Sequence, residues 1–312
     1  MSVQPLLVVL GPTASGKTRL AVKLASELRG EVISADSRQV FKGMDIGTGK
    51  DLHEYRIDGS LIPYHLINHK TAGERYQVNA FKEDFYEIFN ALHLRRRLPI
   101  VCGGTGMYIH SILQEHEYTA VPVSEKLRSE IKDLGLAELK KILLEYPRSF
   151  WNHADQSTSK RLIRAIEIAD YLSKNTLEKK IRPVFEPLVI GLTSDIASRR
   201  ERIAQRLDQR LQSGLIEEVQ DLMEIGVSAD TLIFYGLEYK FVVAYLQHEL
   251  NFEQLRERLM IAICQFAKRQ MTFFRKMEKD GVKIHWFDID VCDDLYASAL
   301  SCFNITFPGL EL

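Results

Sequence analysis

Cysteine is scarce in this 312-residue sequence, with only Cys102, Cys264, Cys292 and Cys302. No two of them stand in CxxC spacing and no histidines cluster around them. That argues against the common zinc patterns and favours free, reduced thiols. The N-terminus lacks the charged, then apolar, then small-residue order of a secretory signal. No apolar run approaches the roughly 20 residues needed to cross a bilayer. The expectation is a soluble, cytoplasmic protein with no membrane partner. One sign of charge does not dominate either, since the net formal charge is -1. This excludes a uniformly basic surface, but the charge is unevenly spread. From Asp288 onward come Asp290, Asp293, Asp294 and Glu311 with no Lys or Arg. The body is thus mildly basic and the tail acidic, which permits a nucleic-acid partner without requiring one. No repeat, low-complexity tract or long Pro/Gly linker is present.

Hydrophobic residues make up 46% of the chain, enough for a large core. Its length suggests one large domain plus a smaller one. Pro5 to Leu10 is a continuous apolar run, as expected of a buried parallel strand. Lys17 to Leu28 reads as a helix, Glu31 to Asp36 as a strand, and "PYHLI" near Tyr64 as another. Val78 to Arg97 is helical and "PIVCGG" from Pro99 is again a strand. This alternation predicts an α/β protein with a parallel sheet flanked by helices. After His116 the pattern turns helical, over Ser124 to Asp133, Leu136 to Tyr146 and Thr158 to Leu172. "PLVIGLTS" (Pro187 to Ser194) resumes the sheet, helices dominate from Ile196 to about Glu278, and "VKIHWFDI" predicts a last strand. The expected division is an α/β core of residues 1–115 and 184–312 with a helical insertion of residues 116–183.

The segment Gly11, Pro12, Thr13, Ala14, Ser15, Gly16, Lys17, Thr18 fits GxxxxGK[ST], with a strand before it and a helix after it. Glycines let backbone N–H groups close on phosphate oxygens, Lys17 adds charge, and Thr18 would hold Mg2+. The motif indicates phosphate but not the molecule that carries it, and the bland alternative is a glycine turn with an incidental lysine. Asp36 ends the second strand, where ligands of open α/β sheets bind. It reads equally as a turn-capping aspartate, a magnesium ligand or a catalytic carboxylate. Asp45, Gly47 and Gly49 suggest a mobile loop facing substrate. "GGTG" after the strand at Pro99 brings Thr105 to the same edge of the sheet. Arg199, Arg202, Arg206 and Arg210 recur on part of one helix face, either as solvated charge or as forked partners for phosphate. "FAKRQMTFFRK" mixes bases with Phe266, Phe273 and Phe274, whose default place on a helix is the core.

The blocks "GPTASGKT", "SADSRQVFKGMDIGTGK", "GGTGMYI", "KRLIRAIEI", "RIAQRLDQRLQSGLIEEV" and "AKRQMTFFR", spread over about residues 4–287, resemble the bacterial tRNA dimethylallyltransferases in content and order. The resemblance implies transfer of a dimethylallyl group from dimethylallyl diphosphate to the exocyclic N6 of the adenosine 3′ of the anticodon, in tRNAs reading codons that begin with U. The phosphate loop would then hold a prenyl diphosphate in place of ATP. Lys17, the loop amides, Mg2+ on Thr18 and Arg206 would spread the leaving group's charge. Asp36 would take the amine's proton, with Thr13 and Thr105 in the same site. Asp36, Ser37, Arg38 and Gln39 would contact the extruded base. Arg128, Lys160, Arg161, Leu162, Ile163 and Arg164 would grip the anticodon stem-loop. The family expectation is a monomer with no obligate protein partner. Two departures stand out: "LIFYGLEYK" has Leu237 and Glu238 where the family has Tyr and Arg after the glycine, and "TFFR" replaces the usual TWFR. A Glu at 238 would repel phosphate. The acidic tail after Asp288 has no counterpart. The rival readings are an ATP-dependent small-molecule kinase, an enzyme prenylating free adenine nucleotides, and a non-catalytic RNA-binding module.

Overall fold

A computed structural model describes residues 4–114, 116–152, 154–178 and 180–310. Its strands are β1 (Gln4–Leu10), β2 (Gly30–Ser34), β3 (Arg56–Ile57), β4 (Ser60–Leu61), β5 (Tyr64–His65), β6 (Leu98–Gly103), β7 (Phe185–Thr193) and β8 (Ile284–Asp288). Six of them form one sheet in the order β5-β2-β6-β1-β7-β8, and β3 pairs with β4 as a small separate ribbon. Every pairing in the larger sheet is parallel. Its helices are α1 (Lys17–Glu27), α2 (Val78–Leu94), α3 (Gly106–Leu113), α4 (Glu125–Ile131), α5 (Leu136–Leu144), α6 (Ser159–Lys174), α7 (Ile196–Gln212), α8 (Leu215–Glu224), α9 (Ala229–Tyr235), α10 (Leu237–Leu246), α11 (Phe252–Lys279) and α12 (Leu295–Thr306). The described residues of Met1–Gln114 and Pro183–Leu312 form one compact unit, and those of Glu115–Arg182 form a second.

The apolar run of β1 is central because both its faces are covered. Leu6 to Leu10 are fully buried. Successive strand side chains point to opposite faces, and the cores divide accordingly. Leu6, Val8 and Leu10 pack with Phe81, Phe85 and Phe89 of α2 and Phe274 and Met277 of α11. Leu7 and Val9 pack with Leu20, Leu24 and Ala25 of α1. The four-residue spacing of the α2 phenylalanines aligns them on one helical face. A further core joins the segment after β2, through Val40, Phe41 and Met44, to Leu207, Tyr235, Tyr239 and Leu259 from the helices between β7 and β8.

The acidic tail is not a tail. Residues after β8 turn and enter α12, whose Ala299 and Phe303 are buried in the α1 layer. Asp288 and Asp294 sit where a turn and a helix start need them, and Glu311 lies outside the described residues. The Asp288 carboxylate accepts from Asp290 N at 3.0 Å, and that of Asp294 accepts from Ala297 N at 2.9 Å. Carboxylates at helix N-termini satisfy unpaired N–H groups. Over the sequence they registered as charge alone.

In the second unit, Ile131, Leu139, Leu143, Leu162, Ala165, Ile166 and Ala169 make a small core. Ser124 and Thr158 cap α4 and α6 through their side chains. Among the described residues no helix is long and apolar enough to cross a membrane.

Because Phe303 is 2% exposed, Phe303→Ala should destabilise the chain by about 3–5 kcal/mol. Chemical denaturation measures this, and wild-type stability in the variant would show that α12 is not part of the core.

Candidate functional site

Three loops leave the carboxyl ends of β1, β2 and β6, which are neighbours in the sheet. The first is the phosphate loop. Ala14 and Gly16 take left-handed backbone with φ of 60° and 74°, so the chain curls over itself before α1 begins at Lys17. The Lys17 ammonium folds back to donate to the Pro12 carbonyl at 3.4 Å. Burial lowers its pKa from the ordinary lysine value, and the nearby Arg206 charge pushes the same way. An anion in the loop would reverse both effects. The Ser15 hydroxyl is buried with no hydrogen-bond partner among the described residues. Thr18 hydrogen-bonds the buried Cys102 thiol, whose pKa burial pushes up to about 12. Burial thus favours the protonated thiol, and the Thr18 oxygen retains lone pairs for a cation.

The loop after β6 is locked to the other two. The Gln270 side chain of α11 accepts from Thr13 N at 2.9 Å and donates to the Gly104 carbonyl at 2.9 Å. A Cβ on Gly104 would collide with that amide, and one on Gly103 would collide with the Ala35 carbonyl. Thr105 N donates to Ala35 O at 3.1 Å, and Ser37 N donates to the Thr105 hydroxyl at 3.0 Å. Thr105 therefore holds the β2 loop in place through its hydroxyl, which also lies 3.4 Å from Ser37 Oγ. Gln270 was not foreseen as a site residue. Its signal was one amide among the bases and aromatics of "AKRQ". Of the flanking aromatics, Phe274 is core and Phe273 packs against Gly106, while Phe266 is exposed.

Asp36 opens the β2 loop. Its Oδ1 accepts from Arg38 N at 2.9 Å and Gln39 N at 3.4 Å, so the turn-capping reading holds. Both bonds fall on one oxygen, which leaves Oδ2 for a substrate. Arg38 donates to the Phe234 carbonyl at 2.8 Å and lies over the Phe234 and Tyr235 rings. Gln39 is bonded to Ser34 and Gly49. The segment of Asp45, Gly47 and Gly49 is not the loose loop expected. The N–H groups of Asp45, Ile46 and Gly47 converge on the Glu218 carboxylate at 2.7, 2.6 and 3.0 Å. Tyr239 donates to the same carboxylate at 2.8 Å. Fully buried Lys50 donates to Phe41 O, Asp45 and Asn68. Glycine there answers a close approach, because a Cβ at 47 would lie 2.6 Å from the Tyr239 ring.

The four arginines singled out on α7 divide. Arg199 bonds Ser194, and Arg202 bonds Asp290 across to the turn after β8. Arg206 and Arg210 face the site, where Arg206 is paired with Asp51 and Arg210 with Glu238. The feared repulsion by Glu238 is thereby answered within the fold. Its carboxylate lies 3.4 Å from Arg210 and is 19% exposed. Burial raises its pKa, while Arg210 opposes that rise.

Within the second unit, the residues expected on the RNA divide as well. Leu162 is completely buried in the core, and Ile163 packs against that core. Leu162 presents no free surface, because the apolar stripe of α6 needs it inside, whereas Ile163 is half-buried. Arg128 makes a two-bond pair with buried Glu167 at 2.8 and 2.9 Å. Arg164 donates to the carbonyls of Tyr118 and Val121 at 3.1 and 2.7 Å and to Glu167 at 3.3 Å. Lys160 is exposed, and Arg161 is 58% exposed in its pair with Asp155.

Among the described residues no group of three or more His, Cys, Asp or Glu side chains could hold a metal ion. A magnesium ion held mainly by substrate phosphates and water needs few protein ligands, and Thr18 would be the residue to offer one.

A left-handed glycine loop between a parallel strand and a helix, with Lys17 folded into it, places the molecule among α/β proteins of the phosphate-loop type. Residues 39–277 match the family described as IPP transferase, and residues 4–59 match isopentenyl transferase. The chain is 50% identical over 285 residues to a tRNA dimethylallyltransferase 1 of Azobacteroides pseudotrichonymphae, covering 91% of this chain and 93% of the relative. It is 48% identical over 283 residues to one of Porphyromonas gingivalis, with 91% and 93% covered. A solved tRNA isopentenylpyrophosphate transferase of Bacillus halodurans is similar at a TM-score of 0.69 and 31% identity, covering 97% of this chain and 95% of that one. A solved eukaryotic dimethylallyltransferase acting on tRNA shares the fold at a TM-score of 0.75 and 22% identity, with 96% and 77% covered. The chain belongs to the IPP transferase family.

Replacing the Gln270 amide with an isosteric-sized apolar group tests the clamp. Gln270→Leu leaves the Thr13 N–H and Gly104 carbonyl without their partner, at about 1–3 kcal/mol for each group left unpaired. Denaturation should show that loss, and unchanged stability would mean the two loops are held elsewhere.

Proposed function

We propose that this chain, acting as a single subunit in the cytoplasm, moves a dimethylallyl group from dimethylallyl diphosphate to N6 of the adenosine 3′ of the anticodon. The acceptors are tRNAs that read codons beginning with U. The observation that carries this reading is the pairing, in one crevice, of a cationic phosphate loop with an aspartate whose Oδ2 is open. A kinase can use both features as well, and the choice of a prenyl donor and an adenosine acceptor is supported by relatives named for that transfer.

The reaction breaks the bond between the allylic carbon and the diphosphate oxygen, which leaves with the electron pair. A bond forms between that carbon and N6, and N6 gives up a proton. Lys17 and the N–H groups at the start of α1 face the charge that grows on the leaving oxygen. Arg206 adds a fork of donors suited to phosphate. Mg2+ bound to the diphosphate and Thr18 would supply further charge neutralisation. Oδ2 of Asp36 accepts the N6 hydrogen bond, orients the amine and then takes its proton. Because Oδ1 is held by Arg38 N and Gln39 N, the carboxylate cannot swing away. The adenine leaves its stack to enter, as base-modifying enzymes require. Of the four bases expected on the RNA, Lys160 and Arg161 are the more exposed, while Arg128 and Arg164 are tied to Glu167.

Labelled dimethylallyl diphosphate tests the proposal directly. Label should pass to unmodified tRNA and not to AMP or ATP, and Asp36→Ala should lower single-turnover transfer about 10²- to 10⁴-fold with tRNA binding retained. Label on AMP but not tRNA defeats the proposal, and near-normal transfer by the variant removes Asp36 as the base. Separately, Lys160→Glu with Arg161→Glu should weaken tRNA binding and flatten its dependence on salt. An unaltered salt slope assigns the RNA surface to other residues.

A further inference from the structure

Asp51 follows the loop of Gly47 and Gly49, and nothing in the resemblance gives it a role. It takes left-handed backbone, φ 46°, where the 3-10 turn Leu52–Tyr55 begins. Aspartate tolerates that conformation better than most residues, and its carboxylate is held by Arg206. The Arg206 Nη2 donates to the Asp51 carboxylate and, at 3.4 Å, to the Gly49 carbonyl. Both partners use the same nitrogen. Nε and Nη1 therefore keep their N–H groups for another acceptor. The pair is 29% and 31% exposed, so it is reachable. A second cation stands behind the first. A Cβ on Gly49 would strike the Arg210 guanidinium and lie 2.8 Å from Arg206 Nη2, so two guanidinium groups meet over one glycine. Their repulsion would turn Arg206 aside without a fixed counter-charge. Asp51 supplies one to Arg206, and Glu238 supplies another to Arg210. Burial alone would raise the Asp51 pKa, and the charges of Arg206 and Arg210 more than offset it.

We infer that Asp51 is a positioning residue for prenyl transfer. It holds Nη2 of Arg206 so that the remaining donors of that guanidinium meet the diphosphate as its charge develops. The inference rests on reading the crevice as a diphosphate site.

The test uses the full chain with dimethylallyl diphosphate and tRNA. Asparagine is isosteric with aspartate and tolerates left-handed backbone, so Asp51→Asn keeps the fold. It should lower kcat/KM for dimethylallyl diphosphate by about tenfold and leave the KM for tRNA unchanged. On an Arg206→Ala background the same substitution should do nothing more, because Asp51 acts through Arg206. A loss that adds fully to that of Arg206→Ala overturns the inference, as does an equal change for both substrates. A lower KM for the diphosphate in Asp51→Asn also overturns it, since the carboxylate would then be a competitor for Arg206. Absence of transfer by the wild type would defeat the proposed function and this inference together. Transfer by the wild type with Asp51→Asn indistinguishable from it defeats this inference alone.

Discussion

The site depends on one buried amide. Gln270 joins the Thr13 N–H to the Gly104 carbonyl, so α11 sets the distance between the phosphate loop and the loop that carries Thr105. That second loop in turn fixes Ala35 and Ser37, and so the turn presenting Asp36. The two glycines at 103 and 104 permit the approach, because side chains there would collide with Ala35 and with the amide itself. A buried amide can serve as donor and acceptor at once. No apolar residue or single charge could bridge an N–H and a carbonyl in this way.

Around this clamp the charges are arranged in pairs, and the pairs decide which cations remain for a ligand. On α7, Arg199 and Arg202 secure the helix to Ser194 and Asp290, and Arg206 and Arg210 crowd toward Gly49. Burying like charges together is costly unless each has a partner, and Asp51 and Glu238 provide them. Glu238 breaks the family's usual pattern at its position, yet with Arg210 beside it the local charge sums to zero. Repulsion of a phosphate by Glu238 is thus offset within the protein.

The second unit applies the same economy to its small core. Glu167 is buried and collects Ser124 N, Arg128 and Arg164. A buried carboxylate must be paired in this way. A basic stretch read along the chain therefore overstates the charge offered to a polyanion, since part of it is consumed inside.

The sequence by itself determined the parallel-sheet class and the phosphate loop, because periodicity and glycine spacing are local signals. It also located Asp36 and Thr105, because strand ends converge at one edge of such a sheet. It could not separate an arginine that faces a ligand from one that holds a carbonyl, since both look alike in a row. Tertiary structure decided that Leu162 is core, that Thr105 and Arg38 are tied into loop contacts, and that Asp288 holds a turn and Asp294 caps a helix. It also decided the roles of Gln270, Glu218 and Asp51. Their partners lie far away in the chain, and hydrogen-bond satisfaction becomes visible only when those partners are brought together.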